Sequence, residues 1–146
     1  MFRQHYVNAK DLLQEDDAPH QLSAVSRSVL ATTGFDAIVR KRRDNAAYLQ
    51  NNIKDERVDC FAPSLIEKAT PLYFPIYVKD DRAKLQKQLA SHNIYCPIHW
   101  PIPKQVEPYM DADSTYIYSH VLSLICDQRY DADDMAAIVE VINNNI

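Results

Sequence analysis

The chain has 146 residues, of which 47% are apolar and 25% charged, with a formal net charge of −4. A chain of that length and composition makes one soluble-type domain with a real core. The acid excess argues against a general nucleic-acid or membrane-surface binder, and no apolar run approaches the roughly 18 residues of a membrane span.

Two scarcities narrow the chemistry further. Gly34 is the single glycine, and neither a dinucleotide fingerprint nor a P-loop can be written with one glycine, because both need close backbone approach to phosphate. Cys60, Cys96 and Cys126 are an odd number without close pairing, and no charged-then-apolar leader precedes them, so the expectation is a reduced, cytoplasmic chain.

In chain order, residues 1–22 lack periodicity and read as a loosely attached N-terminal arm, because Glu15-Asp16-Asp17 and Pro19 break any helix begun near Asn8. From Ser23 the pattern becomes helical with Val25, Val29 and Leu30 on one stripe, and Thr33-Gly-Phe-Asp36 reads as a capping box opening a second helix. That helix, Phe35 to Ile53, carries Ile38, Val39, Ala46 and Leu49 at helical spacing; its Arg40-Lys41-Arg42-Arg43 run reads as a solvated face. LYFPIYV (72–78) reads as a strand that Pro75 marks as an edge strand or a bulged one. Asp80 and Asp81 cap a helix with Leu85 and Leu89, Ile94 to Ile98 is expected as a second strand, and VLSLI (121–125) as a third. Asp131 then caps a last helix that buries Met135, Ile138, Val139 and Ile142. The expected fold is α+β, a small sheet of three or four strands covered on one face by helices and preceded by a long amphipathic helix; residues 23–146 form that domain.

The segment IYCPIHWPIPK (94–104) holds the only tryptophan and three prolines in seven positions. Proline fixes φ and restricts its predecessor, so this is a stiff loop. Cys96 and His99 have metal-like spacing, yet no second close pair supports a metal site. The DADST run (111–115) lacks the glycine and the glutamate of a calcium loop and reads as a solvated turn. No serine sits on a glycine-bearing nucleophile turn, and a cysteine nucleophile such as Cys126 paired with His99 or His120 is disfavoured because buried structural thiols outnumber reactive ones. From the residues alone, no catalytic, cofactor-binding or metal-ligating residue is assigned, and His99 is as well explained by a bond to its own loop as by a ligand.

The runs SHNIYCPIHWPIP and VLSLICDQRYDADDM resemble the C-terminal end of the DegT-like nucleotide-sugar aminotransferases, pyridoxal-phosphate enzymes of fold type I. The matching positions are Asn93-Ile94, His99-Trp100-Pro101 and Ser123-Leu124-Ile125, with Ser26 to Leu30 and Arg43-Asp44-Asn45 resembling the helix that leads into the small domain. Ile125 stands where that family has a proline, and Ser119-His120 where it often has a glutamate.

The resemblance implies a C-terminal small domain whose His99, Trp100 and Pro101 form one wall of the substrate cleft. It implies a partner, the aminotransferase large domain in cis or trans, which in the full-length family carries the Schiff-base lysine and the pyridoxal phosphate. No lysine here stands in that family's lysine motif, so no cofactor is expected on this chain and transamination is not expected from it alone. Amino-sugar or cell-surface polysaccharide biosynthesis is the implied setting. The competing expectation is a stand-alone α+β interaction or ligand-sensing module without catalysis. The Phe35–Ile53 helix is the expected exposed patch, and a homodimer through it a secondary expectation.

Overall fold

The structure, a computed structural model, describes residues 21–60, 69–99 and 102–144. They belong to two compact units, one ending at Gly34 and one beginning at Phe35. All of the expected arm except Gln21 and Leu22 lies outside the described residues.

The first unit contains helix α1, Ala24–Thr32, capped by the Ser23 side chain, which accepts from the Ser26 amide at 3.0 Å. Thr33 does not open the next helix: its hydroxyl donates to the Val29 carbonyl at 2.7 Å and closes α1. None of the residues of α1 is buried, and Val25 is 74% exposed.

The second unit runs α2 (Phe35–Asn52), β1 (Val58–Cys60), β2 (Tyr73–Val78), α3 (Arg82–Ser91), a 3-10 turn at Glu107–Tyr109, α4 (Ala112–His120), β3 (Val121–Ile125) and α5 (Ala132–Asn143). The three strands form one antiparallel sheet in the order β1-β2-β3, so the unit is the expected α+β fold with three strands. On one face Phe74, Ile76 and Val78 of β2 and Leu122 and Leu124 of β3 join Leu49 of α2, Leu85 and Leu89 of α3, and Met135, Ile138 and Ile142 of α5 in a single core. Alternation puts Tyr73, Pro75 and Tyr77 on the other face.

Several local expectations are corrected. β2 is the central strand, although Pro75 argued for an edge. Pro75 lies opposite Ser123, whose amide donates away from β2 to the Pro97 carbonyl at 3.3 Å. The pair is therefore of the non-hydrogen-bonded kind, and the missing proline N–H faces away from β3, so it costs the β2–β3 ladder nothing. The strand expected at Ile94–Ile98 is not formed, because Pro97 has no N–H to offer and one backbone bond does not make a ladder. The DADST stretch is not a turn: Asp111 caps α4, accepting from the Ser114 amide at 2.7 Å. β1 was not expected at all; three residues are too few to show a period.

The helix expected as the exposed patch is packed along its second half, while Phe35 at its start is 53% exposed. Ala46 and Leu49 of α2 are fully buried, and Asn143 of α5 clips the end of α2, accepting from the Lys54 amide and donating to the Asn52 carbonyl, both at 2.9 Å. The exposed apolar stripe is on α1.

Two capping predictions hold. Asp81 caps α3, and Asp131 with Asp134 forms a capping box on α5, each cap contributing about 1 kcal/mol. Asp127, 2% exposed, accepts from the Arg129 amide and from its Nε, both at 2.9 Å, and from Nη2 at 2.7 Å. The Arg129 guanidinium holds this carboxyl below the ordinary aspartate value against the opposing effect of burial. Asp55, Asp111 and Asp131 are lowered too.

Carboxyls depressed on folding stabilise fully above their unfolded pKa, about 3.9, and the contribution fades as pH falls toward the depressed folded values. Thermal stability is therefore expected to be level above about pH 5 and to fall below about pH 4. Asp127→Asn should lower the plateau and shrink the acid fall; an acid limb identical to that of the parent chain would show that Asp127 does not carry it.

Candidate functional site

The stiff loop is held at four points. The Gln86 side chain donates to the Cys96 carbonyl at 2.8 Å, and the Ile125 amide reaches the Cys96 sulfur. The Ser123 amide donates to the Pro97 carbonyl at 3.3 Å, and the Ser123 hydroxyl pairs with His99 Nδ1 at 3.1 Å. This arrangement occupies the outer edge of β3, whose backbone would otherwise be an open template. At the other end of β3, Arg82 Nη1 donates to the Val121 carbonyl at 3.2 Å.

The loop leaves α3 through a left-handed Asn93, φ 62°. The Ile94 amide donates to the Leu89 carbonyl at 2.9 Å and the Asn93 amide to Ala90 at 3.0 Å, the two bonds of a Schellman termination. Glycine is the usual residue there, and asparagine is the next best tolerated in that region of φ. A chain with one glycine thus makes its sharpest helix exit with asparagine.

His99 consequently sits over the outer face of the sheet. Its ring lies 4.4 Å from that of Tyr73, at 58°. The partnership with Ser123 restricts ring rotation, while a buried serine on β3 supplies a rigid base. Trp100 and Pro101, the other two expected wall residues, lie outside the described residues.

Two residues of this region were missed by sequence reading. Tyr73 registered only as a strand residue. Arg129 is fixed by its bidentate bond to Asp127, yet its side chain is 71% exposed; it lies 5.6 Å from the Tyr130 ring, and Tyr73 adds to the rise in its pKa after the larger effect of Asp127. The signal was the Asp-x-Arg spacing, which Asp55 and Arg57 repeat with the same backbone and side-chain bonds. A guanidinium fixed in orientation beside aromatic rings suits an anionic ligand.

The thiols are not poised as nucleophiles. Burial pushes Cys96 up to about 11, and burial with the Asp127 charge pushes Cys126 up to about 12. Cys60 is raised as well, by burial first. Among the described residues no group of three or more His, Cys, Asp or Glu could hold a metal ion. No helix among them is long and apolar enough to cross a membrane.

What the site can do is bind: the His99 imidazole and the Tyr73 ring present an aromatic, hydrogen-bonding surface, and the oriented Arg129 guanidinium lies near enough to Tyr73 to feel its charge. A groove of about 450 Å³ opens beside it, lined in part by Tyr73, Tyr95, Cys96, Pro97 and Ile125.

Solved structures share this fold. A sugar aminotransferase of Micromonospora echinospora, CalS13, superposes with a TM-score of 0.69 at 18% identity, over 84% of this chain and 34% of its own. The Helicobacter pylori aminotransferase PseC, involved in the biosynthesis of pseudoaminic acid, gives 0.68 at 18% identity, over 82% of this chain and 35% of its own. A DegT DnrJ EryC1 StrS aminotransferase from Brucella abortus gives 0.64 at 16% identity, over 90% and 40%. The chain thus spans between a third and two fifths of these structures. No curated protein matches it in sequence. The sequence profile of the DegT/DnrJ/EryC1/StrS aminotransferase family matches residues 22–143, which is most of the chain, and the protein belongs to that family.

Proposed function

We propose that this chain is the C-terminal small domain of a sugar aminotransferase acting in amino-sugar or cell-surface polysaccharide biosynthesis, with His99 on one wall of the substrate cleft. The observation that carries the reading is the anchoring of His99: Ser123 from below, Tyr73 alongside, and a proline-stiffened backbone tied to β3. A side chain so fixed can orient a sugar or phosphate oxygen without losing much freedom on binding. Trp100 and Pro101 continue the wall in this proposal, and Arg129 offers a cation for a phosphate of a nucleotide-linked substrate.

The family implies pyridoxal phosphate, and the described residues do not fit it. A lysine that condenses with the cofactor needs an amine made partly neutral by burial or by a nearby cation. Among the described lysines none is buried. Lys79 is pulled the other way: Nζ lies 2.8 Å from Asp59 Oδ1, which raises its pKa. In this proposal the cofactor and its lysine come from a large domain in cis or trans, and this chain alone does not transaminate.

The test is a chimera in which residues 22–143 replace the corresponding part of the Micromonospora enzyme, first shown to retain cofactor absorbance. His99→Ala in that chimera is expected to lower kcat/KM for the nucleotide sugar by about ten- to a hundredfold and to leave the amino-donor half-reaction unchanged. An equal loss in both half-reactions, or none, would remove His99 from the substrate wall and favour a stand-alone binding module.

A further inference from the structure

On the helical side of the second unit, a groove of about 650 Å³ lies between α5 and the exit of α3, and neither His99 nor Ser123 lines it. Its floor is apolar: Ile94, Ile125, Ile138 and Val141 line it, with Tyr95 and Tyr130 beside them. Its volume is in the range of small-molecule sites.

The polar lining is sorted by charge. Asp134 and Glu140 carry the formal negative charges, and no lysine or arginine lines the groove. Asp134 is partly engaged, since it accepts from the Asp131 amide at 2.9 Å. Glu140 is exposed on α5, one turn before Asn144, and both line the same groove as Asn93. Apart from Asp134 and His92, whose ring bonds the Gln88 carbonyl at 3.0 Å, these polar side chains have no partner among the described residues. A neighbouring groove shares Tyr95 and Ile125 and has Lys87 in its lining, so the cation-favouring end is the Glu140 end.

We infer that this groove is a binding site for an organic ammonium compound: an apolar, preferably flat body over Ile94, Ile125 and Val141, and its cation beside Glu140 and the Asn93 and Asn144 carboxamides. An apolar floor supplies the affinity, and the carboxylate sets which end of the ligand goes where. A carboxylate-bearing molecule of the same shape meets Glu140 and Asp134 with like charge and is rejected. The inference is independent of the sugar aminotransferase reading, because it uses neither His99 nor a second domain.

The experiment is a nuclear magnetic resonance titration of the labelled chain with 2-phenylethylammonium, with 3-phenylpropionate as the shape-matched anion. The ammonium is expected to give saturating shifts at the amides of Asn93, Tyr95, Ala137 and Val141 with a millimolar dissociation constant, and the anion to bind about tenfold more weakly. Glu140→Gln, an exposed substitution, should weaken the ammonium about threefold without changing the melting temperature. Ala137→Trp, also on the exposed side of α5, should fill the groove and abolish the response. The inference is overturned by equal binding of the anion, by shifts confined to the Lys87 groove, by binding that survives Ala137→Trp, or by no saturation up to about 10 mM.

Discussion

Asn45→Ala is expected to destabilise the chain by about 3 kcal/mol, read as a lower denaturation midpoint at unchanged slope, and to lower the melting temperature by about 10 °C. Asn45 is 3% exposed in the middle of α2, where a polar side chain is costly unless satisfied. Its Nδ2 donates to the carbonyls of Asp127 and Tyr130, both at 3.0 Å, with the Cys126 carbonyl at 3.4 Å. One amide therefore fixes the loop that joins β3 to α5 and that carries Arg129. Alanine removes the donor from the Tyr130 and Cys126 carbonyls, while the Asp127 carbonyl keeps the Tyr130 amide at 3.3 Å, so the cost is the lost bonds plus the desolvation left uncompensated. Asn45→Asp should be worse, since a carboxylate would face those same oxygens. A loss below about 1 kcal/mol for Asn45→Ala would mean that the loop is held by the core alone.

Pyridoxal phosphate added to the isolated chain is expected to leave the visible spectrum of the free cofactor essentially unchanged. Borohydride trapping should give scattered, substoichiometric labelling of exposed lysines such as Lys84, Lys87 and Lys104. The physical ground is twofold. The described lysines are exposed or half-exposed, so none has the burial that a condensing amine needs, and Asp59 stabilises Lys79 as the cation. A chain with one glycine also lacks the close-approach loop on which a phosphate usually rests. Stoichiometric trapping at one lysine would defeat both this expectation and the assignment of the cofactor to another domain, and peptide mapping would name the residue responsible.

The elements that the sequence announced are those whose signals are local. Asp81 and Asp131 capped the helices assigned to them, and Met135, Ile138, Val139 and Ile142 gave α5 its buried stripe. VLSLI formed a strand over its full length. The errors share one cause: the deciding partner lies far along the chain. Pro75 excludes a central strand only if a neighbour needs its N–H, and β3 does not, because the Pro75–Ser123 pair is of the non-hydrogen-bonded kind. Ile94–Ile98 has strand composition but meets β3 through one backbone bond. Asp111 looked like a turn residue because the weakly amphipathic run after it gave no clear helical stripe.

Of the candidate site, composition and motif order determined the small α+β class, the family resemblance and the choice of His99. Tertiary structure alone decided what holds His99, since Ser123 and Tyr73 reach it from 24 and 26 positions away through sheet pairing. It alone decided that Ala46 and Leu49 of α2 belong to the core while Val25 and Val29 of α1 are exposed, because helical spacing shows that a face is apolar but not what lies against it. The thiols show the same division: the sequence counts three cysteines, and only burial in the fold raises their pKa, joined by the Asp127 charge at Cys126 and the Asp59 charge at Cys60.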